Sequence, residues 1–482
     1  MDPKSIVQLN ANELSQKIHQ REISCTEVMT AYLEQIDQMN PKVNAIVSRV
    51  DSDILLNQAL QKDQEFHRVE RGWMYGFPLA PKDLTMTIGI TSTLGSPIFQ
   101  HQVPKHDSIV VERMRSAGAI MIGKTNIPEF ALGSHTYNPV YGTTLNAYDQ
   151  TKSAGGSSGG AAVALALQMM PVADGSDMGG SLRNPAGWNN IYGFRPSRGR
   201  VPAGPASEVY FEQLATEGPM ARNVEDLAQL LAVQAGYDPR SPLSLKDSPE
   251  IFRQSLDKSF KGTKIGWMGN LEGYLATEPG VIDVCQGSLK YFDELGCQVD
   301  AVTPQFDMAN LWQAWLKIRA FLAGGKLNIH YQNDETRKLL KPEAVWEIEQ
   351  SLKLNPIDLY RASEVRTAWT MEMNHLFETY DYLVLPSAQV FPFDQQMTWP
   401  SQINGVQMDT YHRWMEVVIG PTLAGLPTLS IPAGFKNGAD SQLPMGIQLI
   451  GRPQADLSVL QLGHAWHQTT PFKDFHPKLL DI

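Results

Sequence analysis

The chain has 482 residues, 42% of them hydrophobic and 19% charged, with a formal charge of −11. This is an ordinary globular composition with enough apolar material for a large core. Net acidity without a Lys/Arg block excludes nucleic acid as a main partner, because phosphate binding needs clustered basic residues. The three cysteines, Cys25, Cys285 and Cys297, form no CxxC pair. That argues against a disulfide framework and against a structural metal site, and each reads as a small buried apolar residue.

Length alone allows two to four domains, although large α/β enzymes often fold as one. The start, Met1-Asp2-Pro3-Lys4, lacks the basic-then-apolar pattern of a signal peptide. The longest apolar stretch, Ala161 to Ala173, contains Gln168 and Pro171 and is too short to span a bilayer. The expectation is a cytoplasmic protein that does not associate with membranes.

In chain order, about 1–70 reads as helical. Ser24 and Glu27 have the spacing of a capping box, and Val28, Met29, Tyr32, Leu33, Ile36 and Met39 follow at helical intervals. From about Tyr75, short apolar runs alternate with helical stretches. Strands are expected at Ala119–Ile122, Lys264–Trp267, Tyr382–Leu385, Thr428–Ile431 and Gly446–Ile450. Between the second and third lies a helical stretch from Val281 to Leu295, ended by Gly296 and followed by the strand-like Cys297–Val299. Such alternation predicts a three-layer α/β/α architecture around a central mixed, largely parallel sheet. A helical, Trp-rich insertion over about 305–415 is expected near a pocket mouth.

One region departs from this background. Seven glycines fall between Gly155 and Gly180, where the chain average predicts about two. The segment reads Ser153-Ala-Gly-Gly-Ser157-Ser158-Gly-Gly, then an apolar helix from about Ala161, then Asp177-Met178-Gly179-Gly180-Ser181-Leu182-Arg183. Two glycine-rich loops thus each present a serine. The backbone N–H groups from Met178 to Ser181 are little hindered and can hold an anion, or the oxyanion formed if Ser181 attacks a carbonyl. A phosphate loop is disfavoured, since no GxxxxGK[ST] is present. Spacing alone leaves open whether Ser181 is a nucleophile or a loop residue.

A serine nucleophile needs a base. No GxSxG elbow exists, and His464 and His467 read as packing or surface residues. Upstream, Gly76-Phe-Pro-Leu-Ala-Pro-Lys82-Asp83 puts a lysine in an apolar, proline-bounded segment. Burial would lower its pKa toward neutrality and make it a base; otherwise it snorkels from a strand end.

The segment Gly155 to Ser197, with GGSSGG, GSDMGGSLRNPA and Gly193-Phe-Arg-Pro-Ser197, resembles the amidase signature family. Lys82 fits that family's G-x-P-x-x-x-K-D. Leu423–Pro427, Ser430–Gly434 and Gly446–Gly451 are similar to its C-terminal strands. The resemblance runs from about Asn10 to His467. It implies one domain over 1–482 and a catalytic Ser–cis-Ser–Lys triad of Ser181, Ser157 and Lys82, with a cis bond between Gly156 and Ser157. It also implies an oxyanion hole from the backbone of Met178, Gly179, Gly180 and Ser181, and no metal or organic cofactor. Ser158, Asp177 and Arg183 read as supports of the loops, and Arg195 stands where the family more often has Lys.

Two functions fit this resemblance. One is hydrolysis of a small-molecule amide, ester or carbamate. The other is the glutaminase subunit of a tRNA-dependent amidotransferase. That subunit's usual stretch after G-R-V is replaced here by the longer Gly204 to Pro219. Its acidic residue before L-A-G-L-P has no clear counterpart, although a shift of one position would bring in Glu416. The free amidase is therefore preferred. Tyr137 is expected to contact substrate, and Trp312, Trp315, Trp399 and Trp414 read as core or as pocket wall. No residue fixes the oligomeric state, which leaves room for a homodimer.

Overall fold

The computed structural model describes residues 1–436 and 443–481. Its centre is an eight-stranded sheet built, in chain order, from β1 (Ala173–Asp177), β2 (Tyr192–Arg195), β3 (Thr216–Ala221), β4 (Lys264–Trp267), β5 (Gln298–Ala301), β6 (Tyr382–Pro386), β7 (Thr428–Phe435) and β8 (Pro444–Ile450). The spatial order is β5-β4-β6-β8-β7-β2-β3-β1. All residues of β6, β7 and β8 are buried. Helices pack against these central strands, among them Arg183–Trp188, Val281–Ser288 and Asp456–Thr469. The architecture is α/β, as the alternation of short apolar runs and helical stretches predicts.

The sheet is mixed, but it is not largely parallel. Only β4 with β5 and β4 with β6 run parallel; β6–β8, β8–β7, β7–β2, β2–β3 and β3–β1 are all antiparallel. A parallel neighbour needs a crossover of a dozen or more residues, usually a helix. The β4–β5 connection has one, carried by Val281–Ser288 and Lys290–Glu294. β7 and β8, consecutive in the chain and too close for a crossover, pair antiparallel instead.

The strand expected at Ala119–Ile122 lies outside the main sheet. Ile120 and Met121 pair in parallel with Pro78 and Leu79. This two-residue ladder, extended by a bridge between Lys82 and Thr125, fixes the Lys82 backbone beside the edge strand β1. Nearer the N-terminus, Ser24 and Glu27 form the expected capping box of helix Cys25–Val43. The helix α1 (Met308–Tyr331) packs against α2 (Pro342–Ser351) and α3 (Pro356–Thr379), and its Trp315 reaches Gly179 just past β1. Among the described residues, no helix is long and apolar enough to cross a membrane.

Candidate active site

Three segments converge at the end of β1. The first carries Lys82, which is wholly buried. Its backbone N–H donates to both carboxylate oxygens of buried Asp174 at 3.2 Å. Its Nζ donates to Ser157 Oγ at 2.8 Å, Ser158 Oγ at 2.9 Å and Ser176 Oγ at 2.9 Å. Burial pulls the ammonium down to about 7, more than Asp174, Asp177 and Glu217 together push it up. An amine that titrates near neutrality and touches three hydroxyls is equipped to accept a proton from one of them.

The second segment is the loop before helix Gly159–Ala166. The Gly156–Ser157 peptide is cis. The loop is packed from below: Ser134 Oγ donates to Gly156 O at 2.6 Å, and Thr136 Oγ1 donates to Gly155 O at 2.8 Å. Ser158 N–H reaches Ser181 O at 3.3 Å, which ties this loop to the third segment.

The third segment, 177–183, turns around one carboxylate. Asp177 accepts from Gly180 N at 2.9 Å, Leu182 N at 3.1 Å, Arg183 Nε at 2.9 Å and Arg183 Nη2 at 2.8 Å. Burial works against its charge, but Arg183 and Arg195 prevail and hold the carboxyl well below its usual range. Arg183 in turn donates to Val418 O, Gln448 Oε1 and Thr422 Oγ1, so the turn is pinned to the central sheet. Arg195 donates to Asp177 O and to Leu214 O. A guanidinium bridges two carbonyls here, which a lysine ammonium does with less fixed geometry. The supporting role expected of Asp177 and Arg183 accords with this network.

Gly180 sits at φ +89°, and a Cβ there would lie 1.9 Å from Asn184 Oδ1. Any side chain there would be strained and would force Asn184 or Val418 to shift. Its N–H is committed to Asp177, which departs from the four-amide anion site expected from sequence. Among the described residues, the N–H groups of Met178, Gly179 and Ser181 donate to no protein acceptor. Ser181, 8% exposed, and Ser157 line one cavity. No hydrogen bond joins their hydroxyls among the described residues.

The sequence model of the family described as Amidase matches residues 27–460. The chain belongs to the amidase signature family. It is 35% identical to the A-type subunit of a glutamyl-tRNA(Gln) amidotransferase from Cyanothece sp., over 97% of this chain and 99% of that protein. Among solved structures it superposes on a bacterial aryl acylamidase of the amidase signature family with a TM-score of 0.90 at 28% identity, covering 98% of each chain. It superposes on the A-type subunit of glutamyl-tRNA(Gln) amidotransferase from Thermotoga maritima with a TM-score of 0.77 at 27% identity, covering 98% of this chain and 96% of that one. The protein is therefore a hydrolytic enzyme of the class that cleaves C–N amide bonds.

In this amidase the cavity over Ser181 has a volume of about 220 Å³. Its apolar wall comes from separate loops and from α1: Leu84, Leu94, Phe99, Phe130, Leu322 and Leu327 line it. Phe99 meets Phe130 edge-on at 6.4 Å and His330 at 5.2 Å. The charged lining is Glu212, Arg319 and Lys326, so the cavity is not free of carboxylate as its Trp-rich cover suggests. Glu212 Oε1 is occupied by the N–H groups of Leu214 and Ala215, each at 3.0 Å.

Several candidates expected from the sequence fall elsewhere, as packing dictates. Tyr137 is not part of the lining; it lies in a short hairpin, with its ring 5.0 Å from His135 and Lys341 Nζ 5.7 Å over it. The four tryptophans are also outside the lining. Trp414 stacks on Trp188 at 5.9 Å, Trp312 lies under Arg413, and Trp315 backs onto Gly179. Glu416 pairs with Arg413 at 2.7 Å and accepts from Tyr274 Oη at 2.8 Å, away from the serines. Sequence reasoning missed Ser176, whose only signal is its place two residues after Asp174 on the same face of β1. It also missed Lys124, a second buried lysine pushed down to about 8 by burial. Phe99 and Phe130 left no pattern, because they come from irregular loops.

Proposed function

We propose that the enzyme hydrolyses small amides with an apolar or aromatic part through an acyl-enzyme on Ser181. The observation that carries this reading is the buried Lys82 amine, titrating near 7 and 2.8 Å from Ser157 Oγ, beneath a cavity shared by Ser157 and Ser181. Neutral Lys82 takes the proton of Ser157, which takes that of Ser181 as Ser181 Oγ bonds to the substrate carbonyl carbon. The N–H groups of Met178, Gly179 and Ser181 are the candidates to receive the carbonyl oxygen's developing charge. The C–N bond breaks, and the proton returns through Ser157 to the leaving nitrogen. Water then enters, gives a proton to the same relay, and releases the acid and Ser181. No proton is gained or lost by the relay over the cycle.

The apolar walls support a hydrophobic substrate part, since burying a side chain of phenyl size contributes about 1.5–3 kcal/mol. Free glutamine would have to place its two charges against Glu212, Arg319 and Lys326, of which Glu212 Oε1 and Arg319 already hold protein partners. The second reading is an amidotransferase glutaminase that works with partner subunits. It is supported by the 35% identity to an amidotransferase chain over nearly the full length. It is weakened by the position of Glu416, which faces Arg413 and Tyr274 instead of the cavity. The test compares kcat/KM of the purified chain for simple anilides and for glutamine, with labelling by a serine-directed phosphonate. Anilides well above glutamine, with one label on the peptide holding Ser181, are expected. Glutamine turned over best, or only with added subunits, would replace this reading by the second.

A further inference from the structure

Arg319 is the one cavity-lining cation that the protein buries almost completely, with 4% of its surface exposed. It projects from α1 toward the loop that carries Ser181. Its Nε donates to Glu347 Oε1 at 2.7 Å and its Nη2 to Tyr411 Oη at 2.8 Å. Tyr411 Oη donates onward to Glu347 Oε1 at 2.6 Å. The guanidinium also lies 5.6 Å from the ring of Trp315, which packs behind Gly179. The group is thus held on two sides and cannot swing away.

Its third nitrogen is the informative one. Among the described residues, Nη1 meets only the thioether of Met178, at 3.3 Å. A thioether is a weak acceptor. A guanidinium has five N–H bonds, and three contacts leave two without an acceptor among the described residues. A buried donor left this way costs stability. Arg319 lines the cavity that holds Ser181, and its Nη1 lies beside Met178, the first residue of the candidate oxyanion loop.

The geometry points to Arg319 as a specificity residue that donates to an oxygen acceptor on the substrate, of the neutral kind: a ketone, ether or second amide oxygen. The neutral kind is favoured because Glu347 already balances the guanidinium charge and lies wholly buried behind it. At Arg319 a substrate carboxylate would be a second anion against one guanidinium, and Lys326, the other cation of the lining, is exposed to solvent. The inference rests on the proposed amidase reading and narrows its substrate class, to amides with a further oxygen in the acyl or the amine part.

Binding tests this without turnover. In the Ser181→Ala protein, calorimetry compares N-phenylbutanamide with its 3-oxo analogue, its para-methoxyphenyl analogue, and the anilide of succinic acid. At least one neutral oxygen analogue should bind about fivefold tighter than the plain anilide, and tighter than the acid. Adding Arg319→Met with Glu347→Met, which removes both charges of the pair, should erase that preference. Arg319→Lys, which keeps the charge but loses the planar fork, serves if the double variant does not fold, and should reduce the preference too. Equal binding of plain and oxygenated anilides in the parent, a preference that survives these variants, or tightest binding of the acid overturns the inference. The amidase reading is judged separately, by wild-type turnover of the plain anilide against glutamine.

Discussion

The floor and the cover of the Ser181 cavity are built in different ways. The floor is small residues and backbone, glycines and serines with one buried lysine and two buried aspartates, Asp174 and Asp177, tied together by hydrogen bonds within 3.4 Å. The cover, helix α1 and the loops that carry Phe99 and Phe130, is long apolar side chains with one pinned charge, Arg319. In the floor a shift of half an ångström breaks a hydrogen bond to a buried polar atom, which is costly. In the cover a changed methylene alters contact area and little else. The floor is therefore where chemistry should be lost on substitution, and the cover is where substrate preference should move.

This contrast sets an order of effects. Ser181→Ala should lower kcat/KM for an anilide by about 10⁴-fold or more with the fold retained; activity within tenfold of wild type would move the nucleophile elsewhere. Gly180→Ala comes next. Its Cβ would strike Asn184 Oδ1 and the Val418 side chain at a positive φ. The turn that presents the free amides should distort, with a loss of about 10²–10³ in kcat. Steady-state kinetics with a melting curve separates that loss from unfolding, and a near-normal kcat would show that the turn is not the oxyanion site. In the cover, Leu327→Ala should raise KM for aryl amides about tenfold while kcat holds. Its control, Tyr137→Phe, should change either constant by less than about twofold, because Tyr137 lies outside the lining.

The same contrast explains what could be read in the sequence. The floor is legible because its constraints are local: Gly155 to Gly180 concentrates glycine where backbone turns tightly, and Lys82 stands in a segment too apolar to solvate it. Strands such as Lys264–Trp267 and Thr428–Ile431 show as apolar runs; the first matches the structure, and the second is the first half of a strand that continues to Phe435. Strand direction does not show, since it depends on how each connection returns, and the five antiparallel pairings leave no mark in the apolar pattern. The cover is illegible for a related reason. Phe99, Phe130 and Leu327 meet only after three distant segments fold together, whereas Trp312, Trp315 and Trp414 stand out in composition yet pack elsewhere. Tyr137 makes the same point: a loop near a site in sequence need not face it.

The proposed relay requires Lys82 to act as a neutral base. The pH dependence of kcat/KM for a neutral anilide tests this directly. Below about 7 the amine carries a proton and cannot accept another; above it, the amine is free. Activity should therefore rise about tenfold per pH unit up to a midpoint near 7, then level off. The Lys82→Ala protein should lose this limb along with several orders of magnitude in rate. A wild-type profile flat from about pH 5.5 to 9, or a Lys82→Ala protein that keeps the same rising limb, would contradict the assignment.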